Sequence, residues 1–593
     1  MSLRKIIRKA VKFLAQREML RKKYEEFEAP TIKIIEEYVH PSRPVFVPVT
    51  SYPYPIDQQE KVSKKSSAKG IELSYIFKET KVEKIKTFTY IERKPANIKL
   101  IYPLIIAKIN GKTKVLAYAD IHYVPEKKRL IYFVHEPPIN GKDKEIIEKT
   151  VEMLEDKLDI DFNAIKNIKE AYDYIDKKIN EIWKFLKVKY PKDREVEIKY
   201  YIFRDTIGLG KIEPLMHDPF IEDISCDGVG IPIFVFHRHP AIGEIQTNIV
   251  FETEEELDSF VMKLAQKTGR VISVAQPLLD GTLPDGSRVQ ITYGKDIARR
   301  GSNFTIRKFT KEPLTFVDLI KFGTADIKIF AYLWALIETQ HSILIAGGTA
   351  TGKTTFLNSI ALFIKPEMKI VSIEDTPELK LPHPNWLPLV ARPGFGSNNY
   401  GAVEMIDLLK AALRQRPDYI IVGEVRGKEA YVLFQAMATG HPGLGTIHAD
   451  SVEAVIDRLI SPPINLPKVL LENLDAIVFL VRTKIGNYYV RRVAQIVEIY
   501  GYDRSKDDIV YGEAFRWVPA KDEFLALKSK ILEEIKEFKG YSDEELIADL
   551  NFRAKVIEYL VKNNIRNYKE IEKYIEMFYN APEELAKLLE KGK

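Results

Sequence analysis

The sequence predicts a multidomain α/β protein whose largest unit is a mostly parallel sheet carrying a phosphate-binding loop. Three observations carry this expectation. Between about Pro313 and Tyr500, short apolar runs alternate with segments of helical periodicity, as a parallel sheet with crossover helices requires. Inside that stretch, Gly347-Gly348-Thr349-Ala350-Thr351-Gly352-Lys353-Thr354 fits G-x-x-x-x-G-K-[ST] at every fixed position. The chain has 593 residues, and at about 100–200 residues per domain that leaves room for roughly three to five domains.

Composition narrows the class. Hydrophobic residues make up 45% and charged residues 29%, a globular balance with enough apolar material for several cores. Lys and Arg number 90 against 84 Asp and Glu, so the net charge of +6 is too small to mark a nucleic-acid binder by itself. The one cysteine, Cys226, excludes an internal disulfide and a cysteine-based zinc site. The sequence has no run of 18 apolar residues and no apolar signal core at its N-terminus, so a cytoplasmic location is expected.

The elements follow in order. Residues 1–28 read as a basic amphipathic helix, with Ile6, Ile7, Ala10, Val11 and Leu14 on one face and Arg4, Lys5, Arg8, Lys9 and Lys12 around the rest. That face suits either an anionic membrane surface or packing on the protein itself. Residues 29–70 read as a flexible linker, broken by Pro30, Pro41, Pro44, Pro48, Pro53 and Pro55. Residues 71–198 read as an N-terminal α/β domain, with a hairpin signal at Asn110-Gly111 and helical patterns from Lys144 to Leu186. Residues 199–312 read as a second α/β domain, in which Thr253 and Glu256 form a capping-box pattern. The P-loop domain covers 313–500. Residues 501–593 read as a charged helical extension, with a second capping box at Ser542 and Glu545 and an apolar face of Leu546, Leu550, Ile557 and Val561.

The phosphate-binding motif sits in the right context. Ser342 to Ala346 is a short apolar run suited to a buried parallel strand. Thr354 to Ile364 reads as a helix with its N-terminus at the phosphates. Lys353 would supply charge to the β- and γ-phosphates, and Thr354 a hydroxyl to Mg²⁺. The run from Pro417 to Glu424 is an apolar strand ending in an acid, where a carboxylate could hold Mg²⁺ directly or through water. A second acidic cluster, Glu374, Asp375 and Glu378, follows the strand Ile370 to Ile373; one of the three could orient the attacking water, and spacing alone does not choose among them. His441 and His448 could report the γ-phosphate state, although each taken singly reads as structural.

Together, these motifs resemble the archaeal branch of the type II secretion, type IV pilus and archaellum ATPase superfamily. Ile373-Glu374-Asp375-Thr376-Pro377-Glu378 resembles its Asp box, Ile421 to Arg426 its Walker B motif, and Thr439-Gly440-His441 through Thr446-Ile447-His448 its His box. Upstream, Gly210 to Leu215, Ile221 to Gly228, Leu283 to Val289 and Gly301 to Lys308 fit the same branch. The resemblance spans about Ile202 to Tyr500. It implies a RecA-like C-terminal ATPase domain preceded by an α/β lobe, and a homo-hexamer at the inner face of the cytoplasmic membrane. The partner would be a polytopic membrane platform protein, and the work assembly of a pilus-like filament or secretion pseudopilus, with ATP and Mg²⁺ as cofactors and no nucleic acid.

Carried onto these positions, the resemblance makes Glu378 the catalytic glutamate and Glu424 the Walker B acid. Gly347 through Thr355, with His441 and His448, would contact the nucleotide. Arg270, Arg288 and Arg307 would bring charge from the upstream lobe. Two departures stand out: a chain with one cysteine cannot build the four-cysteine zinc module of many bacterial relatives, and Ala350-Thr351 stands where many of them have Gly-Ser. The competing class is a nucleic-acid translocase or helicase on a RecA-like core, which would need a basic or aromatic lining for the strand. No concentrated stripe of that kind occurs within 314–500.

Overall fold

A computed structural model of the chain describes residues 71–73, 98–109, 112–157, 168–239, 242–309, 312–392, 401–485 and 488–591. The basic segment 1–28 and the linker 29–70 lie outside these residues. The described residues form two compact units, 98–309 in one, and 71–73 with 312–591 in the other.

After a short β1 (Ile71–Glu72), the strands of the first unit are β2 (Lys99–Ile109), β3 (Lys112–Val124), β4 (Arg129–His135), β5 (Ile221–Cys226), β6 (Pro232–His237), β7 (Gly243–Val250), β8 (Leu278–Thr282), β9 (Arg288–Thr292) and β10 (Asn303–Arg307). They make one nine-stranded sheet in the order β2-β3-β4-β7-β6-β5-β10-β9-β8. The β2–β3 pairing runs up to Ile109 opposite Lys112; the expected hairpin turn at Asn110-Gly111 lies outside the described residues. Thr253 caps the helix Glu254–Lys267, its hydroxyl accepting from the Glu256 N–H.

The single sheet corrects the expected division into domains 71–198 and 199–312. β4 pairs in parallel with β7, Ile131 opposite Gln246, so strands from both expected domains share one hydrogen-bonded ladder. Buried polar contacts reinforce the join: Tyr102 on β2 and Tyr132 on β4 both donate to Asp218, at 2.6 and 2.5 Å. The helices Gly141–Lys157, Ile168–Phe185 and Lys192–Thr206 are an insertion with its own core, including Leu154, Ile179, Trp183 and Ile202. A pairing between residues more than a hundred positions apart leaves no local trace in a sequence.

The second unit contains β11 (Ile343–Gly347), β12 (Ile370–Glu374), β13 (Trp386–Val390), β14 (Tyr419–Val425), β15 (Gly443–Ile447), β16 (Ala476–Ile485), β17 (Tyr488–Asp503), β18 (Asp508–Val518) and β19 (Glu523–Ala526). Their order is β13-β12-β14-β15-β11-β16-β17-β18-β19. The first six are parallel, and β17 to β19 continue the sheet antiparallel. Every residue of β11, β12 and β15 is buried, as expected for parallel strands covered on both faces. β15 separates the strand that feeds the phosphate loop from the strand that carries Glu424, an arrangement consistent with a RecA-like ATPase domain.

The expected boundary at 500/501 also moves. β17 runs on to Asp503, and β18 and β19 add two more strands before the helices begin at Ile531. A final short strand, β20 (Lys528–Ser529), pairs with β1, which places Ile71–Glu72 in this unit rather than in the first. The terminal helices Ile531–Lys539, Asp543–Lys562, Tyr568–Asn580 and Pro582–Lys591 share one hydrophobic core with the segment around the phosphate loop. Leu546, Leu550, Ile557 and Val561 are buried in that core, and the Ser542–Glu545 capping box is formed.

Arg553 sits at the centre of this packing, fully buried. It donates to Asp549 at 3.0 Å and to Glu338, and lies over the Trp334 and Phe578 rings. Removing one member of a buried ion pair leaves the other uncompensated, so Arg553→Ala should lower stability by about 3–5 kcal/mol. Denaturant unfolding monitored by circular dichroism checks this; a midpoint unchanged from wild type would mean that the terminal helices do not belong to the core.

Candidate functional site

The site is built on the carboxyl edge of the parallel strands. β11 delivers Gly347 to that edge, where a Cβ would meet the Leu480 carbonyl at 2.6 Å, so only glycine fits. The loop then turns through two left-handed residues, Ala350 at φ 58° and Gly352 at φ 90°. The helix Lys353–Ala361 starts immediately after, its N-terminus facing the loop. Lys353 Nζ donates to the Gly347 and Gly348 carbonyls at 3.0 and 2.9 Å, and Thr351 Oγ1 donates to Gly348 at 2.9 Å. Burial holds the Lys353 ammonium below its ordinary pKa; Glu424 opposes that shift, and Arg426 and Arg458 add to it. Thr354 and Thr355 lie in the first turn of the helix.

The acids arrive from β12 and β14, on the same edge because the strands are parallel. Glu374, the last residue of β12, is 2% exposed. Its Oε1 accepts from the backbone N–H groups of Glu378 and Leu379, both at 3.0 Å, and Oε2 is buried without a partner. Burial pushes its carboxyl up to about 7, against the pull of those two N–H groups. Gly423, just before Glu424, gives it room: a Cβ there would sit 3.0 Å from Glu374 Cγ. Glu378 and Asp375 therefore lie on a turn fixed by Glu374.

Glu424 accepts from Arg426 at 2.5 Å, and Arg426 also reaches Asp375 at 3.3 Å. Partial burial opposes ionisation of Glu424, but Arg426, Lys353 and His448 together hold its pKa below the ordinary value. Asp375, Glu424 and Arg426 open onto a pocket of about 440 Å³ with Arg392 and Glu404 among its other walls.

The two histidines part company. His448 follows β15 at the loop edge, and Arg458 donates to its carbonyl at 3.2 Å. His441 precedes β15, at the opposite edge of the sheet, with Thr439 as its side-chain neighbour. Seven residues of extended chain separate them, roughly 20 Å. A five-residue strand thus separates His441 from the phosphate edge of its own unit.

In the first unit, Arg288 and Arg307 are cross-strand neighbours on β9 and β10, with Asp223 of β5 on the other side of Arg307. Two like charges directly opposite are unfavourable unless an anion lies near; here Asp223 is one such group. Arg270 follows the helix Glu254–Lys267 and is exposed.

Sequence reading gave no role to Arg426, Arg458 or Arg491. Arg426 lies inside the quoted Walker B run, two residues after Glu424, a spacing that offered a signal. Arg458, on the helix after β15, bonds the His448 carbonyl ten residues back, and Arg491 reaches the loop only through sheet topology. Among the described residues, no group of three or more His, Cys, Asp or Glu side chains could hold a metal. A magnesium ion would fit here as a companion of phosphate, with the Thr354 hydroxyl and Glu424 as the protein's oxygen donors.

Residues 212–495 match the family described as Type II/IV secretion system protein. A protein of Methanocaldococcus jannaschii of uncharacterised role is 42% identical over 438 residues, covering 73% of this chain and 78% of its own. The probable conjugal transfer protein TrbB of Sinorhizobium fredii is 32% identical over 248 residues, 40% of this chain and 72% of its own. The type IV secretion system protein VirB11 of Bartonella henselae is 30% identical over 239 residues, 34% of this chain and 66% of its own. This chain belongs to the type II/IV secretion system family of ATPases.

Proposed function

We propose that this ATPase is a hexameric motor at the cytoplasmic face of a membrane, driving assembly of a type IV pilus-like filament or secretion pseudopilus. The observation that supports the catalytic part is the convergence of the Lys353 loop, Glu424 and the turn carrying Glu378 on one edge of one sheet. Family membership supports the secretion or pilus setting. Among the described residues no helix is long and apolar enough to cross a membrane, and the proposed attachment is through a polytopic platform protein, assisted by the basic segment 1–28.

In this reading, Lys353 and the N–H groups of Gly348 to Thr355 hold the phosphates of ATP. Thr354 and Glu424 would hold Mg²⁺, directly or through water, and the ion would supply neutralising charge on phosphate oxygens. Glu378 orients a water molecule and takes its proton as the water oxygen bonds the γ-phosphorus. The bond from that phosphorus to the β–γ bridging oxygen breaks, and its electron pair leaves with ADP. Arg270, Arg288 and Arg307 are the candidates to neutralise the departing phosphate. His448, beside Glu424, is placed to sense that departure.

Lys353→Ala should abolish ATP binding and hydrolysis. Glu378→Gln should bind ATP as tightly as wild type and lose about 10²–10⁴-fold in kcat. Equilibrium binding of a fluorescent ATP analogue alongside phosphate release separates the two, and equal loss of binding in both variants would refute this division of labour.

The ring predicts nucleotide-promoted hexamers, with ATPase activity that rises more than linearly with protein concentration, in step with hexamers seen by light scattering. Arg307→Ala should keep most nucleotide affinity and lose most turnover, because its charge is aimed at the transition state. A monomer with full specific activity at every dilution would overturn the ring, and strong stimulation by DNA would point instead to a nucleic-acid translocase.

Glu374 gives a pH signature. Its carboxyl lies near 7 in the folded chain against an ordinary value of 4.5. Its protonated form thus contributes stability that is complete below pH 4.5 and lost as the pH rises through 7. Glu374→Gln removes this dependence. The stability of wild type relative to the variant should fall by about 3 kcal/mol between pH 4.5 and pH 8. Parallel denaturation curves at both pH values check it, and a constant difference between the two proteins would contradict the assignment.

A further inference from the structure

We infer that Arg491 is a positioning residue for the phosphate loop, holding the Ala350 peptide in the left-handed turn that lets the loop receive ATP. The inference rests on the reading of Gly347 to Thr354 as the ATP site. Ala350 has φ 58°, a conformation that glycine adopts freely and an alanine resists. Its carbonyl accepts from Arg491 Nε at 2.9 Å. The same side chain packs along the loop's second left-handed residue, for a Cβ on Gly352 would lie 3.4 Å from Arg491 Cδ. One side chain therefore braces both unusual turns.

Topology explains how Arg491 gets there. β16 borders β11 in parallel, with Leu480 opposite Gly347, and continues five residues beyond the end of β11. β17 returns antiparallel along that extension, which sets Arg491 across from Arg482. The β16–β17 ribbon thus runs alongside the phosphate loop and presents cations to it. Two arginines directly opposite are unfavourable in a sheet; Arg482 is steadied by the Tyr489 ring at 4.3 Å, and Arg491 by the loop carbonyl.

The loop's other engaged carbonyls tell the same story. Lys353 takes those of Gly347 and Gly348, and Arg491 takes that of Ala350. With these oxygens bonded to side chains, the backbone N–H groups between them are available to phosphate oxygens. Lys353 would turn to phosphate when ATP binds; Arg491, bonded from outside the motif, need not.

The test is a double-mutant cycle in the full chain, read by binding of a fluorescent ATP analogue and by KM and kcat. Arg491→Ala should weaken nucleotide binding and raise KM about five- to tenfold, with kcat changed less. Ala350→Gly supplies the background in which the turn needs no brace, and its own binding and KM are the reference for the Arg491 variants made in it. In the glycine background, Arg491→Ala should lose most of its effect, because glycine holds the turn without a brace. Arg491→Gln keeps an N–H donor without the charge and should stay within about twofold of wild type. Equal effects of Arg491→Ala in both backgrounds, or a glutamine variant as weak as alanine, would overturn the inference in favour of a simple charge role. If Arg491→Ala does not fold, the glutamine variant and Ala350→Gly decide alone. Lys353→Ala is the control: nucleotide binding that survives it would defeat the reading of the ATP site itself, whereas loss there with normal Arg491 variants defeats only the brace.

Discussion

A loop that offers its N–H groups to an anion must find other partners for its carbonyls, and much of the second unit is arranged around that constraint. β11 is buried on both faces between β15 and β16, so its end is fixed at the sheet edge. Gly347 then passes so close to the Leu480 carbonyl that no side chain fits. From there the chain turns within a few residues and enters a helix, through conformations that cost energy for any residue but glycine. Side chains from the helix, the loop and β17 bond the carbonyls left over. Sheet order thereby becomes part of the binding chemistry, since the arginine that reaches Ala350 is carried by β17, two places from β11.

The acidic half of the site follows a similar logic with the opposite charge. Burying Glu374 is costly, and its two backbone hydrogen bonds offset only part of that cost, as its raised pKa reflects. What the fold gains is a rigid turn, with Glu378 anchored by its own N–H. Glu424 keeps its charge because Arg426 stands beside it. A divalent ion held by Glu424 would compete with Arg426 for that same carboxylate. The Arg426 bridge to Asp375 offers the guanidinium an alternative partner a short distance away.

The parts of this picture legible in the sequence are local. The phosphate motif, the apolar strand before it, the acid near the end of β14 and the Ser542 capping box each depend on residues within a few positions of one another. The parts that escaped are non-local. The β4–β7 pairing fused two expected domains, and β17 to β19 extended the sheet past the expected boundary, because strand partners are chosen by the whole sheet. His441 and His448 look equivalent in the sequence, seven residues apart. Only the direction of β15 decides that one is at the phosphate edge and the other is not. Arg491 carries no motif at all, and its role comes from register against Leu480 and Arg482.

The terminal helices follow from the same core. The helix Ile327–Glu338 is apolar nearly all round, with Ile327 and every residue from Ile329 to Ile337 buried. Such a helix is stable only if covered on more than one side. The sheet covers one side, and the terminal helices supply the rest through Leu550, Ile557 and Phe578. Trp334 stacks on Phe363, just beyond the helix that begins at Lys353, and meets Phe578 on its other flank. Phe330 stacks on Phe356 within that same helix. The element that grips phosphate and the elements that end the chain therefore share aromatic contacts in a close-packed interior, which resists gradual deformation. The phosphate loop's helix and the terminal helices are accordingly parts of one packed body. A substitution that loosens the terminal helices therefore loosens the packing behind the phosphate loop as well.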